Sequence, residues 1–247
     1  MKISKLKIIA SGFFIMMLSV FSISNVKAAE ESKRKIGPAE ISFNAGVMSK
    51  YVFRGQDQNG KDPSFFAGVD ATLPANIYLG IWTAQVSDDA TAKTGTVSYP
   101  GSNQEIDFYG GIAPSYGPVT LDLGYISYKY QGATTPKTLN AGEFYAGVKF
   151  QQEKSPFSIG AKIFRQDQTD SETTEFSASY DAGVASLSAV LGDTDNKGSA
   201  GAQYWIVSAS KQIAGLDFTL AYSDNQMDAA GSALSKSTTT LQVRKTF

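Results

Sequence analysis

Between residues 40 and 247 apolar and polar side chains alternate with a period of two, and the pattern stops and restarts about twelve times. Successive side chains of a β-strand point to opposite faces, so each segment carries one apolar and one polar face. The first and longest, EISFNAGVMSKYVFRGQ (40–56), sets Ile41, Phe43, Ala45, Val47, Tyr51 and Phe53 against Glu40, Ser42, Asn44, Lys50 and Arg54. The same stripe recurs in 64–73, 105–112, 119–130, 143–150, 157–164, 174–181, 185–191 and 216–223, and in the closing STTTLQVRKTF (237–247). Two further segments, IYLGIWTAQV (77–86) and QYWIVSAS (203–210), are apolar on both parities over part of their length, so their faces stay open.

The connections between stripes fall into two kinds. Short turns lie at 74–76, 114–118, 151–156, 181–183 and 211–215, and mostly longer polar stretches lie at 57–63, 87–103, 131–140, 166–171, 192–201 and 224–236. The two kinds alternate along the chain. A soluble sandwich has no reason to sort its loops this way. A transmembrane barrel does, with tight turns on the periplasmic side and longer loops outside. Hydrocarbon offers the backbone no hydrogen bonds, so a sheet lies there only if it closes on itself. The expectation is an all-β chain, a closed antiparallel transmembrane β-barrel of about 12 strands. Its last strand, ending on Phe247, would then pair with its first.

Aromatic residues fit the same picture. With the first strand running outward, Phe43, Phe150, Phe157, Tyr180, Phe218 and Phe247 reach the periplasmic rim on the apolar parity, and Tyr51, Phe53, Phe65, Phe144 and Tyr222 reach the opposite rim. Two aromatic girdles are expected of a barrel crossing an outer membrane.

The N-terminus carries Lys2, Lys5 and Lys7, an apolar run over 8–23, and Val26-Lys27-Ala28. A basic head, an apolar core of roughly 15 residues and a small-residue cleavage site describe a secretory signal peptide. The division expected is 1–28 signal peptide, 29–38 disordered periplasmic leader and 39–247 barrel, with residence in the outer membrane of a Gram-negative bacterium after export. The formal charge is close to zero and no basic block is read in the chain that follows the signal peptide, which argues against a nucleic-acid partner.

The chain has no histidine and no cysteine. Without histidine there is no base for a Ser-His triad, and zinc and haem lose their usual donors. No enzyme activity, catalytic residue, metal site or cofactor is expected. Glu105 and Asp107 share a face two residues apart and raise the possibility of a cation site, against the simpler reading of two solvated lumen charges. DTDNKG (193–198) departs from a calcium loop at Lys197 and reads as a polar surface turn.

Residues 44–72, NAGVMSKYVFRGQDQNGKDPSFFAGVDAT, resemble the opening of the TorF-type porin family of proteobacterial outer-membrane proteins, most specifically at Tyr51, Phe53, Arg54 and Gly55, followed by Asp62 and Pro63. The resemblance extends over nearly the whole chain after the leader. It implies a porin-like barrel in outer-membrane lipid, with terminal Phe247 read by the barrel-assembly machinery through the C-terminal strand.

What remains is the lumen. The polar parity collects Glu40, Asp70, Glu105, Asp107, Asp122, Glu143, Glu175, Asp181 and Asp217, against Lys50, Arg54, Lys149, Lys162 and Arg244. A midplane Arg or Lys facing lipid costs ~2–4 kcal/mol, so these charges need water or one another. Two uses compete. In one they line a narrow path for small hydrophilic solutes, with the acidic excess favouring cations. In the other they pair across the lumen and leave a non-conducting structural or surface-interaction barrel. A soluble periplasmic β-protein is a third, weaker reading.

Overall fold

The computed structural model describes residues 34–88, 97–197, 201–227 and 237–247. The expected signal peptide, the first residues of the leader and parts of three polar loops lie outside these.

Twelve long strands form one closed antiparallel sheet. They are β1 (Ala39–Met48), β2 (Ser64–Leu73), β3 (Ile77–Gln85), β4 (Gln104–Ile112), β5 (Val119–Tyr130), β6 (Ala141–Phe150), β7 (Phe157–Gln166), β8 (Glu172–Asp181), β9 (Ser186–Asp195), β10 (Ala202–Ile213), β11 (Leu216–Met227) and β12 (Thr238–Thr246). Each pairs with its sequence neighbours. β12 returns to β1 in the register Gln242↔Met48 through Thr246↔Asn44. Phe43 and Phe247 then exchange backbone hydrogen bonds, with Phe247 N–H donating at 2.8 Å and Phe43 N–H at 3.3 Å. The chain's last residue is therefore part of the seam. Ten residues rising ~3.3 Å each and tilted ~40° cover about 25 Å, the height of an apolar membrane band.

The apolar parity faces outward. Phe43, Leu79, Ile81, Phe108, Leu123, Val148, Ile159, Leu191, Leu220 and Leu241 all lie exposed on the outside of the cylinder. Residues exposed in this way, on strands with no free edge, have hydrocarbon as their natural solvent. Among the described residues no helix is long and apolar enough to cross a membrane. The doubtful faces are resolved. Ile77, Leu79 and Ile81 point out while Tyr78 and Trp82 point in; Val207 points out while Tyr204 and Ile206 point in. Both parities read as apolar there because aromatic and aliphatic side chains also fill this part of the lumen.

Four expectations need correction. The first strand ends at Met48, not at residue 56. Tyr51 and Phe53 leave the outer girdle: Tyr51 is 2% exposed and packs inside the barrel. The alternation continues past Met48 because 49–63 folds inward and places its own short hairpin, Val52–Phe53 against Gln56–Asp57, among lumen side chains. The outer girdle is instead carried by Phe65, Phe144 and Tyr222, joined by Tyr125 (4.7 Å from Phe144, ring to ring) and Trp205 (5.3 Å from Tyr222). The leader is also ordered earlier than expected: Arg34–Ile36 forms a short strand against the start of β1, in the register Arg34↔Ile41 to Ile36↔Ala39. It continues the line of β12 beyond Phe247 and pairs the end of β1 that β12 does not reach. Finally, Asp193–Asp195 of the expected surface turn belong to the end of β9.

Candidate functional site: the lumen and its inward loop

The polar parity faces the lumen, as charged side chains excluded from lipid require. Glu40, Asp70, Glu105, Asp107, Asp122, Glu143, Lys149, Lys162, Glu175, Asp217 and Arg244 all sit on inward strand positions. Asp181 lies at the periplasmic end of β8, where its carboxylate accepts the Gly183 N–H at 2.9 Å and closes the turn. Lys50 and Arg54 belong to the inward loop rather than to a strand, and Lys50 donates to Thr238 Oγ1 at 2.9 Å.

Three pairs neutralise part of the charge. Arg54 grips Glu143 with both Nη atoms, at 2.8 and 2.9 Å. Lys162 meets Asp122 at 2.6 Å and Arg244 meets Asp217 at 3.3 Å. Among the described residues no Lys or Arg forms an ion pair with Asp70, Glu105, Asp107 or Glu175. Instead, tyrosines serve the carboxylates. Tyr109 donates to Asp70, Tyr204 to Glu175 at 2.5 Å, Tyr128 to Glu143 at 2.8 Å, Tyr78 to Asp122 at 2.7 Å and Tyr130 to Glu105 at 3.4 Å. A buried carboxylate without a donor is costly, and a phenol supplies one without adding charge.

The tyrosines reach their partners because glycines lie beneath them. Tyr109 sits directly across the ladder from Gly80, Tyr78 from Gly111, Tyr145 from Gly124 and Tyr204 from Gly192. A Cβ at any of these four glycines would collide with the opposing ring, so the ring lies flat on the wall and extends over the neighbouring strand. Phe66 over Gly46 and Trp82 beside Gly68 repeat the device without a hydroxyl. Parity combined with register could have revealed it, since each of these six inward aromatics has an inward glycine opposite.

Glu105 and Asp107 are not the solvated pair that was the simpler reading. Both are buried, Asp107 completely, and Asp107 has no hydrogen-bond partner on either oxygen among the described residues. Around them stand Tyr51, Trp82, Tyr128 and Tyr130.

The inward loop closes over this half of the lumen. After Met48 the Ser49 N–H still donates to Leu241 O at 2.8 Å, and then the chain turns inside. Arg54 and Gly55, at the hairpin tip, have φ of 48° and 76°. Left-handed values at both central positions fit the two-residue turn that matches the twist of paired strands, and glycine takes the second at little cost. Asn225 of β11 donates to the Arg54 carbonyl at 2.7 Å, while the Arg54 guanidinium reaches Glu143 of β6, stacked between the Phe53 and Phe164 rings at 4.8 Å from each. Since β11 and β6 are five strands apart in a ring of twelve, the tip bridges nearly opposite walls. Asp57 accepts backbone N–H groups from Asn59 (2.9 Å) and Lys61 (3.2 Å); burial nevertheless pushes its carboxyl above the usual range. The loop also holds 86–103: Ser87 N–H donates to Gln58 O at 3.1 Å, Val97 N–H to Asp57 O at 2.8 Å, and the Tyr99 hydroxyl to Gln58.

The barrel resembles solved porins. A KdgM porin aligns over 85% of this chain and 99% of its own, with 7% identity and a TM-score of 0.56. The KdgM porin in complex with disordered oligogalacturonate gives 85%, 98%, 6% and 0.55. Pseudomonas aeruginosa OpdL aligns over 87% of this chain and 69% of its own, with 12% identity and a TM-score of 0.46. At such identities the likeness concerns fold alone. No curated protein matches the sequence. A family model described as bacterial protein of unknown function (Gcw_chp) matches residues 32–247, and the TorF-type name suggested by 44–72 is not confirmed by it. With nearly the whole described barrel inside that match, the chain belongs to the Gcw_chp family.

Proposed function

We infer that this protein is a porin-like channel of the Gram-negative outer membrane, passing small hydrophilic solutes passively with a mild preference for cations. The observation that carries the reading is the inward face of a closed cylinder, which is polar along its length and holds more carboxylates than cations. Asp70 and Glu175 stand outside the three ion pairs, and such an excess raises the local concentration of cations. Residues toward the periplasmic end, among them Thr72, Gly111, Gly147, Lys149, Gly160, Lys162, Ser177 and Ser179, keep partial exposure, in keeping with a wet vestibule. The outward apolar band supports outer-membrane lipid as the surrounding partner. Phe247, half exposed at the seam, suits a terminal strand presented to the assembly machinery.

The interlocked loops at the other end favour a second reading, a plugged barrel that does not conduct. One experiment separates the two. Purified barrel, verified as folded by heat-modifiable gel migration, is inserted in planar bilayers under a salt gradient. Ion current with a reversal potential on the cation-selective side is expected. Folded barrel without current would end the channel reading.

A further inference from the structure

We propose that the hairpin at 52–57 is a latch: it shuts the outer half of the lumen with its tip bolted by Arg54, and it opens by releasing that tip while its base stays in place. This rests on the channel reading above and supplies its regulation. The two ends of the hairpin are held by different chemistry. At the base, Tyr51 and Val52 are buried, Tyr51 meets Trp82 edge-on at 5.5 Å, and the Ser49 main chain extends the seam ladder. Such apolar and backbone contacts do not exchange readily for water.

The tip is held chiefly by polar contacts, namely the Arg54 fork on Glu143 and the Asn225 amide on the Arg54 carbonyl. Water replaces polar contacts at small net cost, so the tip is the part that can let go. Arg54 also sits at positive φ, a conformation that a non-glycine residue keeps only while its surroundings hold it. Glu143 is fixed in turn by Tyr128, so the receiving side of the bolt is rigid. Withdrawal of the tip would open the route between β6 and β11. It would also strip Glu143 of its guanidinium, leaving a carboxyl at the point where a permeating cation needs one.

Two readouts test this. In the first, Asn225→Cys, buried directly against the tip, is labelled with a membrane-impermeant thiol reagent, with and without Arg54→Ala; the chain has no other cysteine, so the label reports one position. In the second, single-channel current is compared for wild type, Arg54→Ala and Glu143→Gln. Loss of the bidentate pair should speed labelling about tenfold and lengthen the open state to match. Gly55→Cys with Asn225→Cys provides a test that keeps Arg54 intact, because the two residues are in contact and a shift of roughly 1 Å takes their Cβ atoms from 2.9 Å to disulfide distance. Oxidation should suppress the current and reduction should restore it. Faster labelling without current in any variant would keep the latch and remove the channel. Labelling and current unchanged by Arg54→Ala, or equal current from the oxidised and reduced pair, would overturn the latch.

Discussion

The two walls of the lumen are built differently. From β2 to β6 the inward positions carry Phe66, Asp70, Tyr78, Trp82, Glu105, Asp107, Tyr109, Asp122, Tyr128, Glu143 and Tyr145. From β7 to β12 they carry mainly hydroxyls. Ser158 meets Ser179 at 2.6 Å, Ser188 meets Ser208 at 2.6 Å, Ser210 meets Thr219 at 3.0 Å and Thr173 meets Thr194 at 2.9 Å, each pair spanning adjacent strands. The first wall is thick because rings lie flat over glycines and reach carboxylates one or two strands away. The second is thin and satisfies itself locally. Bulk on one side and small residues on the other leave an off-centre space, and the hairpin tip crosses it from Asn225 to Glu143. The thick wall therefore owes its integrity to contacts between strands, and its substitutions should cost more.

The largest effect is expected at the glycine floor. Gly80→Val should drive the Tyr109 ring off the thick wall and lower stability by about 3 kcal/mol, seen as a drop in the heat-modification midpoint. Removing a hydroxyl while keeping the ring should cost less. Tyr109→Phe leaves Asp70 without that donor, and a loss of about 1–3 kcal/mol is expected in the same assay. On the thin wall, Ser188→Ala breaks one hydroxyl pair near water and should stay within about 1 kcal/mol of wild type. Equal losses for Tyr109→Phe and Ser188→Ala would erase the distinction between the walls. The smallest effect is expected outside both. Arg165 and Asp170 form a 2.7 Å pair on an exposed loop end, and Asp170 is held below the usual carboxylate range by that guanidinium, yet Arg165→Ala should leave the midpoint unchanged.

Much of this architecture is legible in the chain before any coordinates. Lipid on one face and a polar lumen on the other force a period of two, so Leu121, Leu123 and Tyr125 separate from Thr120 and Asp122 without further information. The alternation of short and long connections likewise follows from a sheet whose strands all cross one slab. The hairpin is not legible. Tyr51 and Phe53 continue the outward parity of β1, and nothing local distinguishes an apolar residue that meets lipid from one that meets Trp82 or Tyr128. The bolt joins residues 89 positions apart across a closed ring, a relation that only the register of the whole barrel creates. The burial of Glu105 and Asp107 depends on that same hairpin and was hidden with it.

All of these relations presuppose a sheet without an edge. Ala45 of β1 and Lys245 of β12 face each other across the seam on the outward parity. Cysteines at these two positions test closure directly. Strand partners in register lie within disulfide reach, so oxidation of the membrane-inserted protein should give an intramolecular cross-link at high yield. A folded barrel whose two cysteines remain free, or link only between separate chains, would show that the first and last strands do not meet.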